Sequence, residues 1–397
     1  MKKSLGDLPA EALAGKRALV RVDYNVPLED GRVADATRIE ASLPTLRWLL
    51  ERGARPILLS HLGRPRGAPD PEFSLAPVAA ALRDLIDAEV RFVEECDGDR
   101  AIEASKELPE GALLLLENTR FVPGETSNNP GVARGFAALG DLFVSDAFGS
   151  LHRAHASTVG VTKFLRPAVA GLLVERELEA LESLRERPAR PFVVAFGGAK
   201  ISDKLELLDA FIERADRLLV GGAMANTFLA ARGLETGRSL VETEAVDDAL
   251  DILERAGELL RLPDDVVVTA APEDPGGEVW EVPAGEIPAD TAALDIGSRT
   301  RRAFAGSVEG AGAFLWNGPM GRFEDRRFAD GTFALAEVAA RVTANGTFTV
   351  IGGGDSAAAV RAAGLSDAVS HVSTGGGASL EFLAHGTLPG IEALDDR

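Results

Sequence analysis

Short apolar runs punctuate the chain, and each ends at glycine or at a group of polar residues. In the first half they lie at 18–22, 56–60, 111–116 and 142–145. Continuous runs of this length suit strands buried in a parallel sheet. Helix-period stretches separate them, including 38–52, and this alternation predicts an α/β fold. An amphipathic helix at 171–187 follows, closed by Pro188 and Pro191. Beyond it the rhythm restarts with strands at 192–196, 217–224, 264–271, 313–324 (a strand ending in a Gly-Pro turn) and 348–351, the last followed by a helix at 357–363. At 397 residues the chain exceeds what one core usually covers. The expected architecture is two Rossmann-like parallel-sheet domains joined by the 171–187 helix.

The stretch from Phe192 to Lys204, Phe-Val-Val-Ala-Phe-Gly-Gly-Ala-Lys-Ile-Ser-Asp-Lys, runs from a buried-strand pattern through two glycines into a helix pattern. Such a turn leaves backbone N–H groups aimed outward with the positive end of a helix dipole behind them, which suits an anion. Lysine is scarce elsewhere, so Lys200 and Lys204, one turn apart on one helix face, suggest a polyphosphate. The competing reading is an ordinary solvated helix face.

In the first half, the strand ends repeatedly deliver polar or cationic side chains. Asp23 and Asn25 follow the first strand, His61 and Arg64 the second, Arg120 the third and Arg153 the fourth, while Arg38 lies near a helix start where a cation opposes the dipole. Strand ends of a parallel sheet converge on one rim. Arg38, His61, Arg64, Arg120 and Arg153 together predict a basic pocket for a small ligand with several negative charges, whereas Asp23 and Asn25 alone read as turn chemistry. Alternatively, each arginine pairs with a nearby acid such as Asp23, Glu117 or Asp146.

A glycine run at 352–356 fits G-x-G-x-x-A formally, but no acid follows about 20 residues later to hold a ribose, as a nicotinamide fold requires. Asp355 instead falls inside the turn, where it suits a Mg²⁺ bridging phosphates. A Walker P-loop is absent, and the glycines at 375–377 offer another anion-binding helix entry.

Composition removes several classes. A net charge of −20 opposes nucleic-acid binding, so any phosphate site must be a local basic cluster. Cys96 is the single cysteine, which excludes an intrachain disulfide and a multi-cysteine metal cage. No apolar stretch reaches membrane-spanning length and the start lacks a signal-peptide core, so a cytoplasmic protein is expected. Abundant acid, scarce Lys and plentiful Arg resemble proteins of salt-accumulating organisms, although GC-rich coding also favours Arg. The expected source is a halophilic archaeon.

Eight ordered motifs carry a closer resemblance: 21–27 (RVDYNVP), 60–65 (SHLGRP), 117–121 (ENTRF), 146–155 (DAFGSLHRAH), 197–204 (GGAKISDK), 316–324 (WNGPMGRFE), 352–356 (GGGDS) and 371–379 (HVSTGGGAS). The chain resembles phosphoglycerate kinases over nearly its whole length. The resemblance implies a monomeric, hinge-bending kinase whose domain 1–170 binds 3-phosphoglycerate or 1,3-bisphosphoglycerate through Asp23, Asn25, Arg38, His61, Arg64, Arg120 and Arg153. Domain 188–379 would bind MgATP or MgADP, with Lys204, Asn317 and the turn Gly353, Gly354, Asp355 and Ser356 on the phosphates, Glu324 on the ribose and Asp355 on Mg²⁺. Arg38, Lys200 and the helix end at Gly376 would be catalytic. The tail 380–397 would return to the first domain, and Glu177 and His371 match a family pair near the hinge.

A carboxylate acceptor is already ionised at neutral pH, with a reference pKa near 4, so no general base is needed. Catalysis reduces to in-line positioning and charge neutralisation, and transfer between domains requires closure. An acetate-kinase-like enzyme would not need so many basic residues for its small substrate. A scaffold would tolerate loss of Lys200, Arg38 or Asp355, and all three are present.

Overall fold

The computed structural model describes residues 2–65 and 67–397. It divides into two compact units, Met1–Glu179 with Thr387–Arg397, and Ala180–Gly386.

The first unit is built on a six-stranded sheet of β1 (Arg17–Val22), β2 (Arg55–Leu59), β3 (Glu89–Val93), β4 (Ala112–Leu116), β5 (Leu142–Asp146) and β6 (Ala168–Ala170), ordered β3-β4-β2-β1-β5-β6. Its pairings are all parallel. Unbroken apolar runs become its central strands because both faces are covered: every residue of β4 and β5 is buried. Fully burying a leucine such as Leu113 or Leu115 contributes about 1.5–3 kcal/mol relative to exposure. The chain leaves β1 through helix α1 (Thr37–Glu51) to β2 on one side, while β5 pairs on the other. That reversal opens a crevice at the carboxyl ends of β1 and β5.

Helix α2 (Leu172–Glu186) follows, and the division between units falls within it, after Glu179. Asp146 at the end of β5 holds its start by accepting the Leu173 N–H at 3.0 Å. Burial pushes the Asp146 carboxyl up to about 7, against the pull of its hydrogen bonds.

The second unit has a parallel sheet of β7 (Phe192–Phe196), β8 (Arg217–Val220), β9 (Leu260–Arg261), β13 (Ala313–Asn317), β14 (Phe348–Gly352) and β15 (His371–Val372). Between β9 and β13 the chain forms a separate antiparallel sheet of β10 (Asp265–Thr269), β11 (Trp280–Pro283) and β12 (Ala292–Ile296), ordered β11-β10-β12. The parallel order is β9-β8-β7-β13-β14-β15. In sequence rank this is the doubly wound order 3-2-1-4-5-6, whose switch point lies between β7 and β13.

The structure corrects several sequence readings. The run at 217–224 ends as a strand at Val220, because Gly221 and Gly222 turn the chain into a helix, Gly222–Ala231, that takes in Met224. The strand expected at 264–271 belongs to the antiparallel sheet. Residues 377–385 form helix α5 (Gly377–His385), whose Ala378, Phe382 and Leu383 are buried in the second unit. The returning tail therefore begins at Thr387 rather than at Leu380. It is fastened by the Lys3 N–H to Asp395 O at 2.8 Å and by Arg397 to Asp7 at 2.7 Å.

Candidate active site

In the first unit the carboxyl ends of β1, β2, β4 and β5 carry the expected polar residues to one rim. The Asp23 carboxylate accepts from Arg38 Nη1 at 3.1 Å through both oxygens and from the Asn25 N–H at 3.2 Å. Asp23 thus supplies counter-charge to the cation at the start of α1. Asn25 Oδ1 accepts the Gly63 N–H at 2.8 Å, joining the loop after β1 to the loop after β2. Arg120 sits in a single helical turn, Thr119–Phe121, capped by Asn118, and donates to Gly63 O. Arg153 Nε donates to His152 Nε2 at 3.0 Å, and Arg64 is exposed.

Pairing with acids explains only part of this cluster. Glu117 accepts from Ser74 Oγ and the Leu75 and Asn118 N–H groups, and Asp146 accepts at the start of α2, so neither bonds an arginine of this cluster. Arg120 Nε is buried with no partner among the described residues. Burial lowers the Arg120 pKa to about 10, helped by Arg21 and Arg153. These are the marks of cations held together without enough anions.

Arg21 is a residue the sequence reading passed over. It is 1% exposed, lies inside β1 and donates from Nη2 to His61 Nδ1 at 3.1 Å. Its signal was available: an arginine interrupting an otherwise apolar strand run. Since Nδ1 of His61 accepts, the ring proton sits on Nε2, and burial together with Arg21, Arg120 and Arg38 keeps the ring neutral by driving its pKa well below the usual value. Burial and then Arg21, Arg120 and Arg153 lower His155 to about 4.

Depressed histidines have a testable sign. Between about 6.5 and 4 the unfolded chain binds more protons than the folded one, so stability present above 6.5 is lost as pH falls through that window. Replacing His155 with Gln should flatten the fall of the thermal midpoint between about pH 7 and 4.5. An unchanged slope would contradict this assignment.

In the second unit a cleft of about 320 Å³ opens at the carboxyl ends of β7, β13 and β14. Its walls include Gly197 and Gly198, Lys200, Asp203 and Lys204, Asn317 and Gly318, Gly353 to Asp355, and Gly376 and Gly377. The glycine turns are stitched to each other. Gly197 N–H donates to Asn317 O and Gly198 N–H to Pro319 O, both at 2.9 Å, while Ser356 Oγ accepts from Gly318 N–H at 2.7 Å and donates to Gly352 O at 2.8 Å. Gly353, at φ +88°, admits helix α4 (Gly354–Ala362), and Gly376, at φ +50°, admits α5. Two helix amino ends thus face the cleft with backbone N–H groups.

Lys200 does not share a helix face with Lys204. It lies in the loop after β7, exposed, ahead of a short turn at Ser202–Lys204 and helix α3 (Leu205–Ile212). The loop is anchored instead by Glu242, which accepts from the Ser202 N–H at 3.1 Å and from its hydroxyl. Lys204 donates to Asn317 Oδ1. Burial lowers its pKa, opposed by Asp203 and Asp355. Asn317 is 1% exposed and its Nδ2 has no partner among the described residues, leaving a donor at the cleft wall. Asp355 lies in the first turn of α4 rather than in the turn before it. The hydroxyl of Ser356 is engaged in stitching, which leaves its backbone N–H as its means of meeting a ligand. Glu324 stands apart from the cleft in a hollow with Phe323, Arg326 and Phe333.

A family model described as phosphoglycerate kinase matches residues 8–386. The chain belongs to the phosphoglycerate kinase family. It is 54% identical over 385 residues to the phosphoglycerate kinase of Thermus thermophilus, covering 96% of this chain and 97% of that one. To the phosphoglycerate kinase of Chlorobium phaeovibrioides it is 51% identical over 400 residues, covering both in full. Among solved structures it is similar to the phosphoglycerate kinases of Coxiella burnetii (TM-score 0.86, 39% identity) and Pyrococcus horikoshii (TM-score 0.87, 32% identity), each over 99% of this chain and 98% of that chain. The higher-identity relatives are bacterial, which gives no support to a halophilic archaeal source. Among the described residues no helix is long and apolar enough to cross a membrane.

Proposed function

We propose that the chain catalyses reversible transfer of the acyl phosphate of 1,3-bisphosphoglycerate to ADP, giving 3-phosphoglycerate and ATP, in the cytoplasm and as a monomer. Family membership supports the reaction. The observation that carries it onto these residues is the arginine cluster at the rim of β1 and β5, which is built for a small polyanion inside a protein of net charge −20.

In this reading Arg38, Arg64, Arg120 and Arg153 bind the anionic groups of the three-carbon acid, with Asp23, Asn25 and neutral His61 meeting its hydroxyl and phosphate oxygens. In the second unit, Lys204, Asn317 and the N–H groups of Gly353, Gly354 and Ser356 hold the nucleotide phosphates, and Glu324 meets the ribose. Lys200, Arg38 and the amino end of α5 at Gly376 neutralise charge on the moving phosphoryl group. The acceptor carboxylate needs no base. The sites belong to different units, so transfer requires them to be brought together, and we assign that hinge to α2.

Asp355 fits a Mg²⁺ that takes one carboxylate and completes its shell with phosphate oxygens and water. Among the described residues no three acidic, histidine or cysteine side chains gather to hold a metal alone. When bound, the ion held by Asp355 would offset the negative charge of the nucleotide phosphates. We predict that Asp355→Asn weakens binding of ADP in Mg²⁺ at least about tenfold, the scale of a lost ligand, while binding of ADP in EDTA is unchanged or tighter. Equal weakening in both buffers would place Asp355 elsewhere in the site.

The reaction is tested by 3-phosphoglycerate-dependent ADP formation from MgATP, with acetate as the competing acceptor. Preference for acetate would transfer the chain to another carboxylate kinase class. Repeating the assay in multimolar KCl tests whether the acidic surface reflects salt adaptation.

A further inference from the structure

Beneath the arginines lies a buried carboxylate that the proposed chemistry does not use. Glu125 is 1% exposed. Its Oε1 accepts the Ser157 hydroxyl at 2.6 Å and its Oε2 the Ser157 N–H at 3.0 Å, while its own carbonyl accepts the Ala156 N–H at 2.9 Å. Ser157 Oγ in turn accepts from Arg21 Nε at 3.0 Å, and Arg21 Nη2 reaches His61 Nδ1. His155 Nδ1 stands 4.0 Å from Glu125 Oε1. A continuous chain thus runs from Glu125 through Ser157 and Arg21 to His61.

The charge balance gives that chain a purpose. Arg21, Arg153 and Arg64 act on Arg120; Arg21, Arg120 and Arg38 act on His61; and Arg21, Arg120 and Arg153 act on His155, while Asp23, bonded to Arg38, also acts on Arg21 but less than Glu125 does. Arg21 and Arg120 feel Glu125 from within. A buried guanidinium without an anion is costly, and removing one member of a buried pair exposes that cost. Burial raises the Glu125 pKa, but Ser157, Arg21 and Arg120 each act to keep it ionised.

We propose that Glu125 is the resident counter-ion of the arginine cluster and, through Ser157, the positioning residue that fixes Arg21 against His61. A bound substrate anion then shares the cluster's positive charge with Glu125. The inference rests on reading the cluster as the phosphoglycerate site. Its consequence is a trade: the carboxylate stabilises the empty site and weakens the hold on a second anion.

Glu125→Gln tests this, because the amide oxygen can still accept one of the two Ser157 donors while the charge is lost. Calorimetric titration at low ionic strength should give a dissociation constant for 3-phosphoglycerate roughly three- to tenfold lower than wild type, with a lower thermal midpoint in anion-free buffer. Glu125→Asp, which keeps the charge, should retain wild-type affinity. A lower midpoint with unchanged or weaker affinity in Glu125→Gln would reduce Glu125 to a structural role and overturn the inference. Should that variant be unfolded without anions, millimolar inorganic phosphate must restore its far-ultraviolet circular dichroism; failure to do so also overturns it. If the wild-type protein itself binds no 3-phosphoglycerate, the underlying site assignment fails instead.

Discussion

Lys200→Ala is expected to lower kcat by about a hundred- to thousandfold, the usual cost of losing one donor aimed at developing charge, with little change in nucleotide affinity. The structure separates the two lysines more sharply than their spacing suggested. Lys204 is half-buried and bonded to Asn317, part of a preformed floor, whereas Lys200 is exposed on a loop. A cation already bonded in the site binds ground state and transition state alike, and an exposed one is free to meet the transferring group. Lys204→Ala should therefore raise the KM for MgATP with a smaller effect on kcat. Steady-state kinetics on both variants decide the matter, and an unchanged kcat in Lys200→Ala would refute its catalytic assignment.

Gly197→Ala is expected to disable the nucleotide site through backbone displacement alone. A Cβ at Gly197 would lie 2.1 Å from Pro319 O and 2.6 Å from Gly318 O, contacts that no side-chain rotation relieves. The turns after β7 and β13 would have to separate, breaking the Gly197 and Gly198 hydrogen bonds that stitch them. Overpacking of this kind costs about 1–3 kcal/mol. We expect a lower thermal midpoint and at least tenfold weaker ADP binding, on the scale of that cost. Wild-type ADP affinity in a folded variant would contradict the geometry drawn for the cleft.

Much of the fold was legible because parallel strands announce themselves. The leucines of β4 and the Phe192–Phe196 run of β7 are unbroken apolar segments that end in polar or glycine residues, and strand and site were visible together. The antiparallel sheet was not, since β11 is mostly exposed and β10 alone resembles one more buried parallel strand. Short edge strands such as β6 and β9 offer too few residues to set a pattern. In the site, residues at strand ends were legible and those acting through others were not. Glu125 and Ser157 become connected to Arg21 only through contacts more than 100 positions apart in the chain, or 32 between themselves. The start of the returning tail, expected at residue 380, was misplaced because a glycine-rich entry and an apolar helix give no sign of which unit they cover.

Trapping the product with hydroxylamine tests the proposed reaction most directly. Incubation with 3-phosphoglycerate and MgATP should yield the hydroxamate of the glycerate carboxyl, with formation dependent on both substrates and abolished in Arg38→Ala. Hydroxamate formation from acetate in preference to 3-phosphoglycerate, or none at all from folded protein, would contradict it.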